Sequence, residues 1–173
     1  MRSVCQLLIL FLLFFLFSCS TEKKEDSTSI FRFNLSSGIN SLDPAFAKDQ
    51  ASIWIARQMF NGLVELDNDL SVRPSLAESW TVSDNGLIYT FKLKKNIPFH
   101  NTSFQDDSDF VTADDVVFSF NRIIDPKVAS PGGWIFNDKI DTVNPFSAID
   151  ENTFQLKLKK PFGPMLSLLS MSY

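Results

Sequence analysis

Residues Arg73 to His100 read RPSLAESWTVSDNGLIYTFKLKKNIPFH, and this stretch restricts the folds open to the chain. Tyr89, Phe91 and Leu93 alternate with Thr90, Lys92 and Lys94. A period of two places one set on a buried face and the other in water. Trp80 and Val82 open a preceding strand. Between the two runs lies Asp84-Asn85-Gly86, a tight-turn signal, because Asn and Gly tolerate the positive φ that such turns use. Leu76 and Ala77 follow Pro74, a spacing that predicts a short helical turn before the first strand. A second run near the end, TFQLKLKKPFGP, echoes YTFKLKKNIPF. Phe154, Leu156 and Leu158 alternate there with Gln155, Lys157 and Lys159. Two such strands predict neighbouring places in one antiparallel sheet.

The remaining segments supply flanking elements. Phe31, Phe33 and Leu35 alternate with Arg32 and Asn34, which predicts a short strand. Ser41-Leu42-Asp43-Pro44 marks a turn, since Pro44 disfavours helix at Asp43. From Asp49, an N-cap residue, Ile53, Ala56, Phe60 and Leu63 hold a helical face, and Gly62 is placed to end that helix. Leu63-Val64-Glu65-Leu66 then reads as a strand with a turn at Asp67-Asn68-Asp69. Thr112 to Ile124 carries the strongest helical pattern. Thr112 and Asp115 have the spacing of a capping box, Ala113, Val116, Val117, Phe120, Ile123 and Ile124 form one apolar stripe, and Asp125-Pro126 stops it. Met165, Leu166, Leu168 and Leu169 begin a last helix.

The amino terminus reads as an address. Arg2 precedes an unbroken apolar run from Leu7 to Phe17, too short to span a bilayer and suited to the core of a signal peptide. It ends in Leu16-Phe17-Ser18-Cys19, which resembles a bacterial lipobox and implies a lipid on Cys19. The alternative is a plain signal peptide with an incidental cysteine. The polar stretch after Cys19 reads as a tether. Residues 1–18 are thus expected to be a lipoprotein signal peptide and 19–29 a flexible tether.

Composition narrows the chemistry. The net charge of −4 argues against nucleic acid, which selects a basic face. The two cysteines lie at positions 5 and 19, so neither a disulfide framework nor thiol catalysis can be built beyond them. His100 is the single histidine and reads as structural, because a zinc site needs partner ligands. Asp106, Asp107 and Asp109 do not complete a calcium loop, which needs a Gly and a distal Glu at fixed offsets. No catalytic set, metal site or cofactor motif emerges.

The order of the motifs adds what periodicity cannot. Leu42-Asp43-Pro44, the Pro-x-Leu-Ala-Glu-Ser-Trp run, Asp-Asn-Gly, Tyr-x-Phe-x-Leu, Phe99-His100 and Thr112-Ala113-Asp114-Asp115-Val116 together resemble the extracytoplasmic solute-binding proteins of ABC importers, in the peptide/nickel class called family 5. Arg122, Asp125 and Pro126 match as well. The resemblance implies an α/β, two-lobed type II periplasmic-binding-protein fold with a mixed or antiparallel sheet and flanking helices. Residues 30–60 would be the opening segment of lobe one and residues 61–173 an inserted α+β domain, incomplete. The second lobe is expected to be absent, so the chain reads as an N-terminal fragment. The family's loop beside the ligand falls on Lys48, Asp49, Gln50 and Ala51, although Asp49 could simply cap its helix. Some members carry an aromatic after Ser-Pro; here Gly132 takes that place and Trp134 follows two residues later, as a cleft platform or as core.

The function implied is the substrate-binding component of an importer, lipid-anchored in a bacterial cell envelope. It would capture peptides or similar small solutes and deliver them to ABC permease subunits, with no enzymatic step. Two other readings stay open. One is a surface lipoprotein that binds a protein partner through its β-rich domain. The other is a carboxylate enzyme, for instance a glycoside hydrolase; aspartates are plentiful but no pair stands out, and Asp114 with Asp115 is one pair whose replacement by Ala would test it.

Overall fold

The computed structural model describes residues 32–35, 37–100 and 110–171. Cys19, the tether and Asp106, Asp107 and Asp109 lie outside them. The chain divides into two units, Met1–Asn34 and Leu35–Tyr173. Of the first, Arg32, Phe33 and Asn34 are irregular and exposed. The strand expected over Phe31–Leu35 is not formed at the described positions, which join no ladder. Alternation gives a segment two faces, but a strand also needs a neighbour for its N–H and C=O groups.

The second unit opens with a 3-10 turn, Pro44–Phe46, and helix α1, Gln50–Met59. Strands β1 (Val64–Leu66) and β2 (Val72–Pro74) form an antiparallel pair. Next come β3 (Ala77–Val82), β4 (Ile88–Leu93), α2 (Ala113–Ile124), a second 3-10 turn (Pro131–Ile135), β5 (Phe146–Asp150), β6 (Thr153–Lys157) and α3 (Met165–Leu168). The main sheet has the order β3-β4-β6-β5, all antiparallel. The two echoing strands are therefore neighbours: Phe91 faces Phe154 and Tyr89 faces Leu156 across the ladder.

The hairpin turn matches its sequence. The Gly86 N–H donates to the Ser83 carbonyl at 2.7 Å, and Gly86 has φ +68. Asn85 Oδ1 accepts from the Leu87 N–H at 3.1 Å and from the Ser83 hydroxyl at 2.7 Å. The left-handed conformation thus falls on glycine, where no Cβ opposes it.

Two local expectations are corrected. The helical turn after Pro74 is absent. Ser75 and Ala77 N–H both donate to the Leu63 carbonyl, at 3.3 and 2.9 Å, and Leu76 N–H donates to Gly62, at 3.1 Å. These bonds hold the segment extended against the chain entering β1, and Ala77 already opens β3. Nor does Gly62 end α1, which stops at Met59 with Phe60 as its C-cap. A Cβ on Gly62 would lie 3.1 Å from the Val64 oxygen and 3.4 Å from the Leu169 oxygen, so the backbone approaches closely at a position without a side chain.

The core lies between the sheet and α2. The Asp115 carboxylate accepts from the Thr112 N–H at 2.8 Å and from its hydroxyl at 2.7 Å, which completes the capping box. The apolar stripe then faces the sheet, with Ala113, Val116 and Ile123 buried. Phe120 sits within 5.2–5.4 Å of the rings of Phe136, Phe146 and Phe154, two of them edge-on, an arrangement that aromatic quadrupoles favour. Phe91, Phe154 and Leu156 are fully enclosed, each worth roughly 1.5–3 kcal/mol of transfer free energy. No helix among the described residues is long and apolar enough to cross a membrane.

Candidate functional site

Two short turns, far apart in sequence, are locked together. Asp43 caps the first 3-10 turn, accepting from the Ala45 N–H at 3.0 Å. Both of its carboxylate oxygens also take the Arg122 guanidinium, Nη1 to Oδ1 at 2.8 Å and Nη2 to Oδ2 at 2.5 Å. Arg122 stands in the last turn of α2, and its planar fork suits a carboxylate held at two points. The guanidinium lies 5.9 Å from the centre of the Phe46 ring. The hydrogen bond from Arg122 holds the Asp43 carboxyl below the usual carboxylate range. On the other side, the Ser130 hydroxyl donates to the Ala45 carbonyl at 2.6 Å and accepts from the Gly132 N–H at 3.1 Å, so the residue that starts the second 3-10 turn also holds the first.

The candidate residues leave this lock on either side. Ala47 is fully buried and fixes the chain before it emerges at Lys48, whose side chain is exposed. Asp49 caps α1. Its carboxylate accepts from the Ser52 N–H and the Ser52 hydroxyl, both at 2.9 Å, and from Asn40 Nδ2 at 2.9 Å. Those donors favour the ionised form and lower its pKa to about 2. Gln50 is exposed and Ala51 is buried at 4% accessibility. Trp134, in the second turn, is 45% exposed, which removes it from the core. Lys139 Nζ donates to the Trp134 carbonyl at 2.9 Å and lies 6.0 Å from its ring. Lys48, Gln50 and Trp134 therefore offer side chains to solvent, whereas the Asp49 carboxylate is occupied by the cap.

A cavity of about 520 Å³ in the same unit reaches the lock, since Asp43, Pro44, Ala45 and Arg122 border it. Phe60, Leu76, Val116, Phe118 and Leu169 line its apolar wall, and Asp43, Arg122 and His100 its polar part. None of Lys48, Asp49, Gln50, Ala51 and Trp134 borders it. His100 Nε2 lies 3.2 Å from the Met59 carbonyl, at the end of α1, in keeping with a structural part. Among the described residues, no three His, Cys, Asp or Glu side chains gather closely enough to hold a metal ion. Asp114 is exposed, and Asp115 is engaged in the capping box. Sequence reasoning missed both the cavity and the Asp43–Arg122 pair. Each partner was visible in its own motif, but nothing in a separation of 79 residues announces that they meet.

Known proteins resemble this arrangement. Residues 71–173 match the family described as bacterial extracellular solute-binding proteins, family 5 Middle. The chain is 37% identical over 126 residues to the di/tripeptide-binding protein 2 of Pseudomonas aeruginosa, covering 68% of this chain and 24% of that protein. It is 33% identical over 166 residues to the heme-binding protein A of Haemophilus influenzae, covering 90% of this chain and 30% of that protein. Among solved structures, the periplasmic binding protein DppA of Helicobacter pylori, in complex with the peptide STSA, superposes with a TM-score of 0.67 at 32% identity. That match covers 78% of this chain and 28% of DppA. The chain thus spans between 24% and 30% of the length of these relatives, and its mixed helical and antiparallel architecture is part of a type II periplasmic binding protein.

Proposed function

The chain belongs to the bacterial extracellular solute-binding proteins of family 5, and from that premise we propose that it is part of the substrate-binding component of an ABC importer. The component takes small peptides outside the cytoplasmic membrane and hands them to the permease subunits. It performs no chemistry on them. The observation that carries this reading is the likeness, at 32% identity, to a binding protein solved with a tetrapeptide. Lys48, Gln50 and Trp134 are proposed to contribute side chains to the solute site. Asp49 and Ala51 contribute through the chain they fix, because one is a helix cap and the other is buried. Cys19 is proposed to carry the lipid that tethers the domain, and Cys19→Ala is expected to move the protein from the membrane to the soluble fraction. Retention on membranes by that variant would show that Cys19 does not carry the anchor.

A second ligand class rests on one observation: a relative named for heme binding aligns over 90% of this chain. Titrating the complete gene product with Ala-Ala, Ala-Ala-Ala and hemin separates the two. Saturable peptide binding supports the first reading. A Soret shift with hemin and no peptide binding supports the second.

A further inference from the structure

We infer that Arg122 and Ser130 are positioning residues for the solute site: together they fix the segment 48–51 relative to the turn that carries Trp134. This rests on the proposed solute-binding function, and it adds two residues whose polar groups are engaged with the first 3-10 turn.

The first 3-10 turn has three residues, too few to hold its own orientation. It is gripped at two points instead. The Asp43 carboxylate is bound at both oxygens by Arg122, and the Ala45 carbonyl is bound by Ser130. Ala45 and Ala47 are almost wholly enclosed, at 2% and 0% accessibility, so the turn cannot slide without opening packed contacts. Asp49, two residues beyond Ala47, starts α1 through its own cap. The segment between these fixed points is therefore short, and its course is set by the lock before it and the cap after it. Ser130 belongs to both halves, because its oxygen also accepts from Gly132 N–H at the head of the Trp134 turn. Losing the lock would let the two sides of the site move independently. A solute spanning them would then have to order them itself, which lowers affinity without removing any contact.

The test uses the full chain with Cys5 and Cys19 replaced by Ser and spin labels at Lys48→Cys and Asn137→Cys, both exposed positions. Pulsed dipolar spectroscopy is expected to give one narrow distance distribution. Arg122→Gln is expected to broaden it, and Arg122→Lys, which keeps the charge but loses the fork, to broaden it less. If Arg122→Gln loses its far-UV circular dichroism, Ser130→Ala carries the same expectation, since it leaves no charge unpaired. Distributions unchanged in all variants overturn the inference. In parallel, Ala-Ala-Ala affinity of the unlabelled complete gene product is expected to weaken about tenfold in Arg122→Gln, equivalent to ~1.4 kcal/mol. A broadened distribution with unchanged affinity also overturns it. Absence of binding by the wild type to Ala-Ala-Ala instead counts against the proposed function, and the distance measurement then still judges the lock on its own.

Discussion

Gly86→Ala should cost the second unit about 1–2 kcal/mol, almost all of it from the backbone. Gly86 has φ +68, and a residue with a Cβ pays roughly 1–2 kcal/mol in that left-handed region. A second effect competes. The new Cβ would lie 3.3 Å from Pro161 Cβ, closer than an ordinary contact. Pro161 is exposed, however, so it can retreat by a few tenths of an ångström, and the steric part should be the smaller one. Three variants separate the two effects in a urea titration. With a slope of about 1.5 kcal/mol per molar, within the range for small proteins, Gly86→Ala should move the midpoint down by about 1 M. Gly86→Asn should move it less, because Asn tolerates the left-handed region while placing its Cβ at the same point. Combining Gly86→Ala with Pro161→Gly should recover little of the loss relative to Pro161→Gly alone. Refutation would take one of two forms. A midpoint unchanged in Gly86→Ala would mean that the turn does not need a left-handed residue. Equal losses for Ala and Asn, both relieved by Pro161→Gly, would mean that sterics dominate.

Other consequences follow from burial and charge. Phe154→Ala removes a ring with no solvent exposure that neighbours Phe91, Phe120 and Phe146. It should cost about 3–5 kcal/mol, read as a large fall of the midpoint in chemical denaturation. Asp43 and Asp49 both have folded pKa values below their ordinary 3.8, Asp49 at about 2. For a depressed carboxyl, the stabilisation is complete above the unfolded pKa and disappears as pH falls through the folded one. The melting temperature should therefore lose nothing through these two groups from pH 7 to about 5 and should fall through them between about 4 and 2, a fall that Asp49→Asn makes shallower. Trp134→Ala, at an exposed ring, should leave the urea midpoint nearly unchanged while weakening peptide binding by the complete gene product. A large drop in the midpoint would instead return Trp134 to the core.

Local chemistry was legible in the sequence wherever one segment decides its own structure. The alternation at Tyr89-Phe91-Leu93, the capping box of Thr112 and Asp115 and the N-cap at Asp49 all depend on neighbours within a few residues, and each stands in the structure. The pairing of β4 with β6 was also readable, because two similar strands with one apolar face each must share a core. What failed depended on distant partners. Pro74 permits a helical turn, but the carbonyls of Gly62 and Leu63 claim the N–H groups that follow it. Gly62 resembles a helix end, yet its backbone passes close to Val64 and Leu169 instead. At the site, Asp49 was open between cap and ligand contact, and its three hydrogen bonds place its carboxylate in the cap. The Asp43–Arg122 lock was invisible, since an ion pair between two motifs leaves no trace in either.

The proposed function requires that this chain form one wall of a peptide site. Isothermal titration of the complete gene product with Ala-Ala-Ala, in the wild type and with Lys48→Ala and Trp134→Ala combined, tests this most directly. One saturable site is expected in the wild type and a clear loss of affinity in the double variant, with far-UV circular dichroism intact. Equal affinity in both would show that the peptide is held without these residues, contradicting the placement of the site.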